Sequence, residues 1–189
     1  MQALKDKILA DGQVIGETIL KVDSFLNHQV DPKFTLEMGR ELAARFQGEN
    51  VTKVLTVEAS GIAVAIAVGL HLDVPVVFAK KKRASTQDAG FYHSKVHSFT
   101  RQESVGIYVS SKYLNSNDVV LIVDDFLAHG EALRGMADIV KQAGARLAGV
   151  GIVIEKAFQK GGEALRLEGV RIESLACITK MGNGVVEFC

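Results

Sequence analysis

Val119-Val120-Leu121-Ile122-Val123-Asp124-Asp125-Phe126-Leu127-Ala128-His129-Gly130-Glu131-Ala132-Leu133 is the stretch whose reading decides the fold. Its first five residues are apolar and mostly β-branched, the pattern of a strand buried on both faces. Two adjacent carboxylates, Asp124 and Asp125, mark the expected C-terminal end of that strand. A short turn with Gly130 then opens a helix predicted over residues 130–143, stopped by Gly144. In open α/β sheets the ligand crevice lies outside the carboxyl ends of the strands. A helix N-terminus there offers unpaired N–H groups and a partial positive charge, which suit a phosphate. A glycine lets the backbone approach it closely. The aspartates would repel a phosphate, and they suit the hydroxyls of a sugar or a metal ion instead. A bare Asp-Asp pair is more often a solvated turn; the buried strand before it and the helix after it favour a binding site.

Working outward, the same texture repeats. Residues 51–57, VTKVLTV, read as a buried strand, Glu58-Ala59-Ser60-Gly61 as a turn, and residues 62–71 as a helix of small residues. Further strands are expected at 74–79, 104–110 and 147–154. Strands alternating with helices imply right-handed βαβ crossovers and a mostly parallel central sheet flanked by helices, an α/β fold. Upstream, residues 2–10 read as a short helix closed by Asp11-Gly12. Asp31-Pro32 reads as a helix start, with Asp as N-cap and Pro at the first position. Phe34, Met38, Leu42 and Phe46 then step by four along one core-facing stripe. Residues 80–90 carry no apolar periodicity and read as a loop, continuing through Gly90-Phe91-Tyr92 as a candidate lid. Residues 170–189 hold short strand-like pieces, a cap or an edge.

Composition narrows the function. The chain has 189 residues with 22 basic and 22 acidic side chains, so net charge gives no footprint for nucleic acid. The longest apolar run, residues 62–70, is too short to span a membrane, and the N-terminus lacks the apolar segment of a signal peptide. Cys177 and Cys189 match no zinc or redox spacing and read as two reduced thiols in a cytoplasmic protein. The histidines show no metal-ligand spacing. Ser60 does not sit in a G-x-S-x-G elbow. No lysine follows a Gly-rich loop as in a P-loop nucleotide binder.

The 119–133 segment resembles the signature with which type I phosphoribosyltransferases bind phosphoribosyl pyrophosphate (PRPP). Five stretches resemble the bacterial xanthine phosphoribosyltransferases, in family order and over nearly the whole chain: LKVDSFLNHQVDP, VTKVLTVEASGIA, VPVVFAKKK, VVLIVDDFLAHGEAL and AGVGIVIEKAFQKGG. That resemblance implies one phosphoribosyltransferase domain. Its PRPP-binding core would span residues 33–154, and residues 1–32 and 155–189 would form a small base-binding hood. It implies that Asp124 and Asp125 hold the ribose hydroxyls, and that Ala128, His129, Gly130, Glu131 and Ala132 cradle the 5′-phosphate. Glu58, Ala59, Ser60 and Gly61 would meet the pyrophosphate. The run Lys80-Lys81-Lys82-Arg83 would add one cation to it, with Lys81 favoured by position. Leu20, Asn27 and Lys156 would hold xanthine, a lysine being a donor only and so suited to a 6-oxopurine. Mg²⁺ would arrive with PRPP, with no cage of protein ligands, and the chain would be a homodimer. The phosphate loop departs from many relatives in carrying His129 and Ala132 where hydroxyl residues are common, which leaves more of the binding to backbone N–H groups. Ala128 stands where hypoxanthine–guanine members carry an acid. The alternatives are a guanine or hypoxanthine enzyme, and a PRPP sensor without catalysis.

Overall fold

A computed structural model of the chain describes residues 1–82, 90–98 and 103–189. Helix α1 (Gln2–Asp11) leads into a hairpin of β1 (Gln13–Ile15) and β2 (Ile19–Lys21), then a π-helical turn, Asp23–Asn27. Helix α2 (Pro32–Arg45) starts as its sequence requires: the Asp31 carboxylate accepts the Phe34 N–H and proline occupies the first turn. Its stripe is core, with Met38, Leu42 and Phe46 buried and Phe34 packed at the edge.

Strand β3 (Lys53–Val57), helix α3 (Gly61–Leu72) and strand β4 (Val76–Ala79) form a βαβ unit. Strands β5 (Phe91–Ser98) and β6 (Glu103–Ser110) pair as a separate antiparallel ribbon. A second run follows: β7 (Val119–Leu127), α4 (Glu131–Gln142), β8 (Arg146–Lys156), a 3₁₀ turn (Ala157–Gln159), α5 (Gly161–Leu167), β9 (Ile172–Gly182) and β10 (Val185–Phe188). The main sheet has the order β10-β9-β8-β7-β3-β4. All neighbours are parallel except the β10 edge. One apolar cluster joins α1, the β1–β2 hairpin, α2 and α3 to the sheet; the other joins α4 and β6 to it. The two layers leave the carboxyl ends of β3, β7 and β8 facing a common crevice, as the parallel reading requires.

Four expectations change. Strand β7 runs past the aspartates to Leu127, so Asp124 and Asp125 lie within it rather than at its end. Its pairing with β8 continues through Phe126↔Ile154 and Leu127↔Glu155, which keeps the backbone extended. Phe91 and Tyr92, read as lid, are strand β5, which docks on α4; the Gln142 side chain bonds both the His93 N–H and its carbonyl at 3.3 and 2.8 Å. Residues 170–189 do form an edge of the main sheet, with β10 outermost, but they are not only short pieces: the 11-residue β9 pairs along β8. Lastly, Cys177 and Cys189 are not two free thiols but a disulfide: β10 folds back on β9 and brings their Cα atoms to 5.4 Å.

Candidate active site

The crevice at the strand ends is a cleft of about 1090 Å³. The ends of β3 and β7 and the turn after β7 line it with Val57, Glu58 and residues 126–133. Lys156, at the end of β8, and Gln159 from the 3₁₀ turn form another wall. Lys81 and Lys82 approach from the segment after β4, Thr18 and Ile19 from the hairpin.

The turn after β7 has the geometry its sequence predicts. Gly130 caps α4 with φ +85°, a left-handed conformation in which glycine carries no steric penalty. No protein acceptor among the described residues reaches the backbone N–H groups of Glu131, Ala132 and Leu133, so the first turn of α4 presents free donors beside the cleft. At the end of β3 the Glu58–Ala59 peptide is cis, and α3 starts at Gly61. The Glu58 carboxylate accepts the Lys81 N–H at 2.6 Å, which joins the Glu58–Gly61 turn to the basic run. Lys80 instead pairs by its backbone with Tyr108 and lays its ammonium 5.9 Å from the Phe78 ring centroid. Arg83 lies outside the described residues.

The aspartates lie beneath the cleft, 5% and 7% exposed. Asp124 accepts the Asp125 N–H at 3.0 Å. The start of α3 packs against it so closely that a Cβ at Gly61 would lie 2.6 Å from its Oδ1. Burial, and then the neighbouring Asp125 charge, push the Asp124 carboxyl well above the usual carboxylate range. Asn27 donates its amide N–H to Asp125 at 2.9 Å. The amide expected to face a base is thus turned onto the second aspartate. Leu20 is 6% exposed and packs in the apolar core, because β2 alternates and the cleft side of the hairpin falls to Thr18 and Ile19. Of the residues expected in the site, the structure gathers Glu58, Lys81, Ala128–Ala132 and Lys156 around one cleft. Asp124 and Asp125 are buried and do not line it, the exposed Asn27 reaches it only through its bond to Asp125, and Ala59, Ser60 and Gly61 sit at the turn beside it.

Lys156 donates to the Thr18 carbonyl at 2.7 Å and lies 5.1 Å from the Phe126 ring centroid. Desolvation lowers its pKa, and the Asp125 charge partly offsets that. Gln159 was not singled out from the sequence. Its Oε1 is buried and has no hydrogen-bond partner among the described residues, an unused acceptor three positions from Lys156. Only its spacing from Lys156 in a cleft-facing turn pointed to it.

No group of three or more His, Cys, Asp or Glu side chains positioned for a metal occurs among the described residues. Glu58 lines the cleft and Asp125 immediately precedes its lining residue Phe126; both carboxylates suit a hard cation reached through water or substrate oxygens. A cation or a set of hydroxyl donors beside Asp124 and Asp125 would also relieve two carboxylates crowded into a buried site. No described helix is long and apolar enough to cross a membrane.

Residues 31–173 match the phosphoribosyl transferase domain family. The chain is 69% identical to a xanthine phosphoribosyltransferase of Heliobacterium modesticaldum over the whole of both chains. It is 58% identical to one of Moorella thermoacetica, across all of this chain and 96% of that one. At the level of structure it superposes on the APRTase of Giardia lamblia complexed with 9-deazaadenine with a TM-score of 0.77, at 22% identity, over 92% of this chain and 97% of that one. An adenine phosphoribosyltransferase of Saccharomyces cerevisiae gives 0.74 at 18% identity, over 93% and 99%. At that identity the two structures speak to the fold alone.

Proposed function

Since the chain belongs to the phosphoribosyltransferase family, we propose that it is a purine-salvage enzyme converting xanthine and PRPP to xanthosine 5′-monophosphate and pyrophosphate. The observation that carries the reading is the joining, in one cleft, of a free-N–H helix start after β7 with the donor-only Lys156 at the end of β8. The full-length likeness to xanthine phosphoribosyltransferases agrees with it.

In this reading the 5′-phosphate sits in the loop of residues 128–132, at the positive end of α4 where the first-turn N–H groups point. Asp124 and Asp125 accept the ribose hydroxyls. The Glu58–Gly61 turn and Lys81 face the pyrophosphate. Glu58 and Asp125 are the acidic groups that would steady the water shell of a Mg²⁺ brought in with PRPP, and that ion would supply charge neutralisation for the leaving pyrophosphate. A purine ring nitrogen displaces pyrophosphate at the anomeric carbon, so the chain's part is to position, to exclude water and to present fixed charge. Lys156 gives up its bond to the Thr18 carbonyl and donates to the 6-oxo group of the base. Gln159 Oε1 supplies an acceptor for a base N–H, and Asn27, with one amide N–H on Asp125, keeps a second for the 2-oxo group. Leu20 supports the hairpin from below while Thr18 and Ile19 form its cleft face. Such a site leaves the 6-amino group of adenine facing a cation. We place the enzyme in the cytoplasm, where PRPP is available, and as a homodimer.

Pyrophosphate and nucleotide should form together, in equal amounts, only when xanthine, PRPP and Mg²⁺ are all present. Tight PRPP binding without pyrophosphate release would point instead to a sensor.

A further inference from the structure

We propose that Arg166, through helix α5, is a positioning residue that holds the base-contacting Lys156 and the phosphate loop in one fixed relation. This rests on the reading that Lys156 meets the base and residues 128–132 meet the 5′-phosphate.

Both subsites hang on the same short segment. Lys156 is preceded by Glu155, 2% exposed at the end of β8. Arg166 grips that carboxylate with two parallel bonds of 2.6 and 2.8 Å, and Ser174 on β9 adds a third at 2.5 Å. Burial raises the Glu155 pKa, but the bonds from Arg166 and Ser174 outweigh it and hold the carboxyl below its usual range. The charge at the root of Lys156 is therefore fixed by one guanidinium reaching back from α5. A planar fork does this where a point charge would leave the carboxylate free to turn.

The other end of α5 bears on the phosphate loop. The Gly161 N–H donates to the Ala128 carbonyl at 3.2 Å. A Cβ at Gly161 would lie 2.3 Å from that oxygen and 2.7 Å from the Gly130 nitrogen, so helix and loop touch backbone to backbone. The next residue, Gly162, lies against Glu155, where a Cβ would fall 2.0 Å from Oε1. Leu165 is buried, and its Cδ1 lies 3.1 Å from where a Gly130 Cβ would be. Beyond the helix, Glu168 takes two bonds from Arg134 of α4 at 2.6 and 2.7 Å. Helix α5 is thus pinned to Glu155 on one side and to the loop and α4 on the other. It stands between the groups that must hold the base and the phosphate a set distance apart. None of its contacts involves a reacting atom, so Arg166 acts by position.

The test is a double-mutant cycle between Arg166→Met and Lys156→Met, read as KM for xanthine and for PRPP beside a melting curve. Arg166→Met should raise both KM values on the order of tenfold, since small misplacements at an active site carry penalties of that size or more. In the Lys156→Met background it should raise the xanthine KM little further, while still raising the PRPP KM. Arg166→Lys, which keeps the charge but loses the fork, should fall between wild type and Arg166→Met, and it carries the same cycle if Arg166→Met does not fold. A variant of lower melting temperature with wild-type KM values, or effects on the xanthine KM that simply add, would overturn the proposal. An unchanged xanthine KM in Lys156→Met alone would instead remove the base-site reading beneath it.

Discussion

Asp124 and Asp125 are adjacent in sequence, yet the fold gives them different surroundings. Asp125 has an amide donor in Asn27, whereas Asp124 faces the α3 start and accepts the Asp125 backbone N–H. Burial and its neighbour's charge raise the Asp124 pKa, so holding it ionised works against folding as pH rises through the usual carboxylate range toward that raised value. Asp124→Asn should therefore stabilise the free protein, by about 2–4 °C in Tm for each kcal/mol relieved. The same change should weaken PRPP use, bonds to a charged partner being worth roughly 1.5–3 kcal/mol. Calorimetry and PRPP kinetics on one preparation read both; a folded variant that loses stability and keeps its PRPP KM would contradict the assignment. The pair was legible in the sequence because both residues follow an unmistakable strand. The Asn27–Asp125 contact was not, since it joins residues 98 positions apart. Leu20 fell on the core side because a three-residue strand alternates, and nothing in the sequence fixed its phase. Gln159→Leu, which removes a buried acceptor, should lower kcat/KM for xanthine by about 1–3 kcal/mol with little change in the PRPP KM; equal losses for both substrates would mean that it only shapes the turn.

At the scale of elements, the β7–α4 unit was the most legible, because an apolar run, a φ-permissive glycine and a helical pattern all agree. Gly130→Val tests it. The left-handed φ of +85° disfavours valine, and the new Cβ would press on Leu165, so the loop and α5 should shift together. PRPP affinity should fall sharply while far-ultraviolet circular dichroism stays near wild type; unchanged PRPP binding would mean that the loop does not touch phosphate. Strand β5 was hidden because FYHSKVHS has no clean apolar face; it is held by β6 and by Gln142, partners that periodicity cannot see. Strand β10 was legible as a strand-like piece but its partner β9 was not, and its end carries the Cys177–Cys189 bond across a separation of 12 residues. Closing a loop of that size restricts the unfolded chain by about 3 kcal/mol. Thiol titration should find no reactive thiol before reduction, and a reductant should lower the Tm. A reductant-insensitive Tm with both thiols free from the outset would mean that the chain works reduced, as cytoplasmic proteins commonly do.

For the whole molecule, the sheet places charge where its strands end, and that shapes its response to acid. Burial raises the Asp118 and Glu155 carboxyls, but their donors hold both below the usual range, Asn115 and Lys53 for Asp118 and Arg166 and Ser174 for Glu155. With the folded pKa below the unfolded one, their contribution is complete above the ordinary carboxylate range and is lost as pH falls through the lowered values. Melting curves taken downward in pH should show that loss, and Glu155→Gln should flatten it; an unchanged acid limb would mean that the Arg166 pair adds nothing to folding. The α/β class and the parallel sheet were readable from alternating strands and helices. The order of the strands and the Asn27–Asp125 contact were not, because both depend on which distant segments meet. The central claim, that this cleft joins PRPP to xanthine, is tested most directly by kcat/KM for xanthine, guanine, hypoxanthine and adenine at saturating PRPP and Mg²⁺, in wild type and in Lys156→Met. Xanthine should lead and adenine should be poorest in the wild type, and Lys156→Met should lose about 2–4 kcal/mol for xanthine, narrowing the gap to adenine. Equal use of adenine by the wild type, or an unchanged gap between xanthine and adenine in the variant, would contradict it.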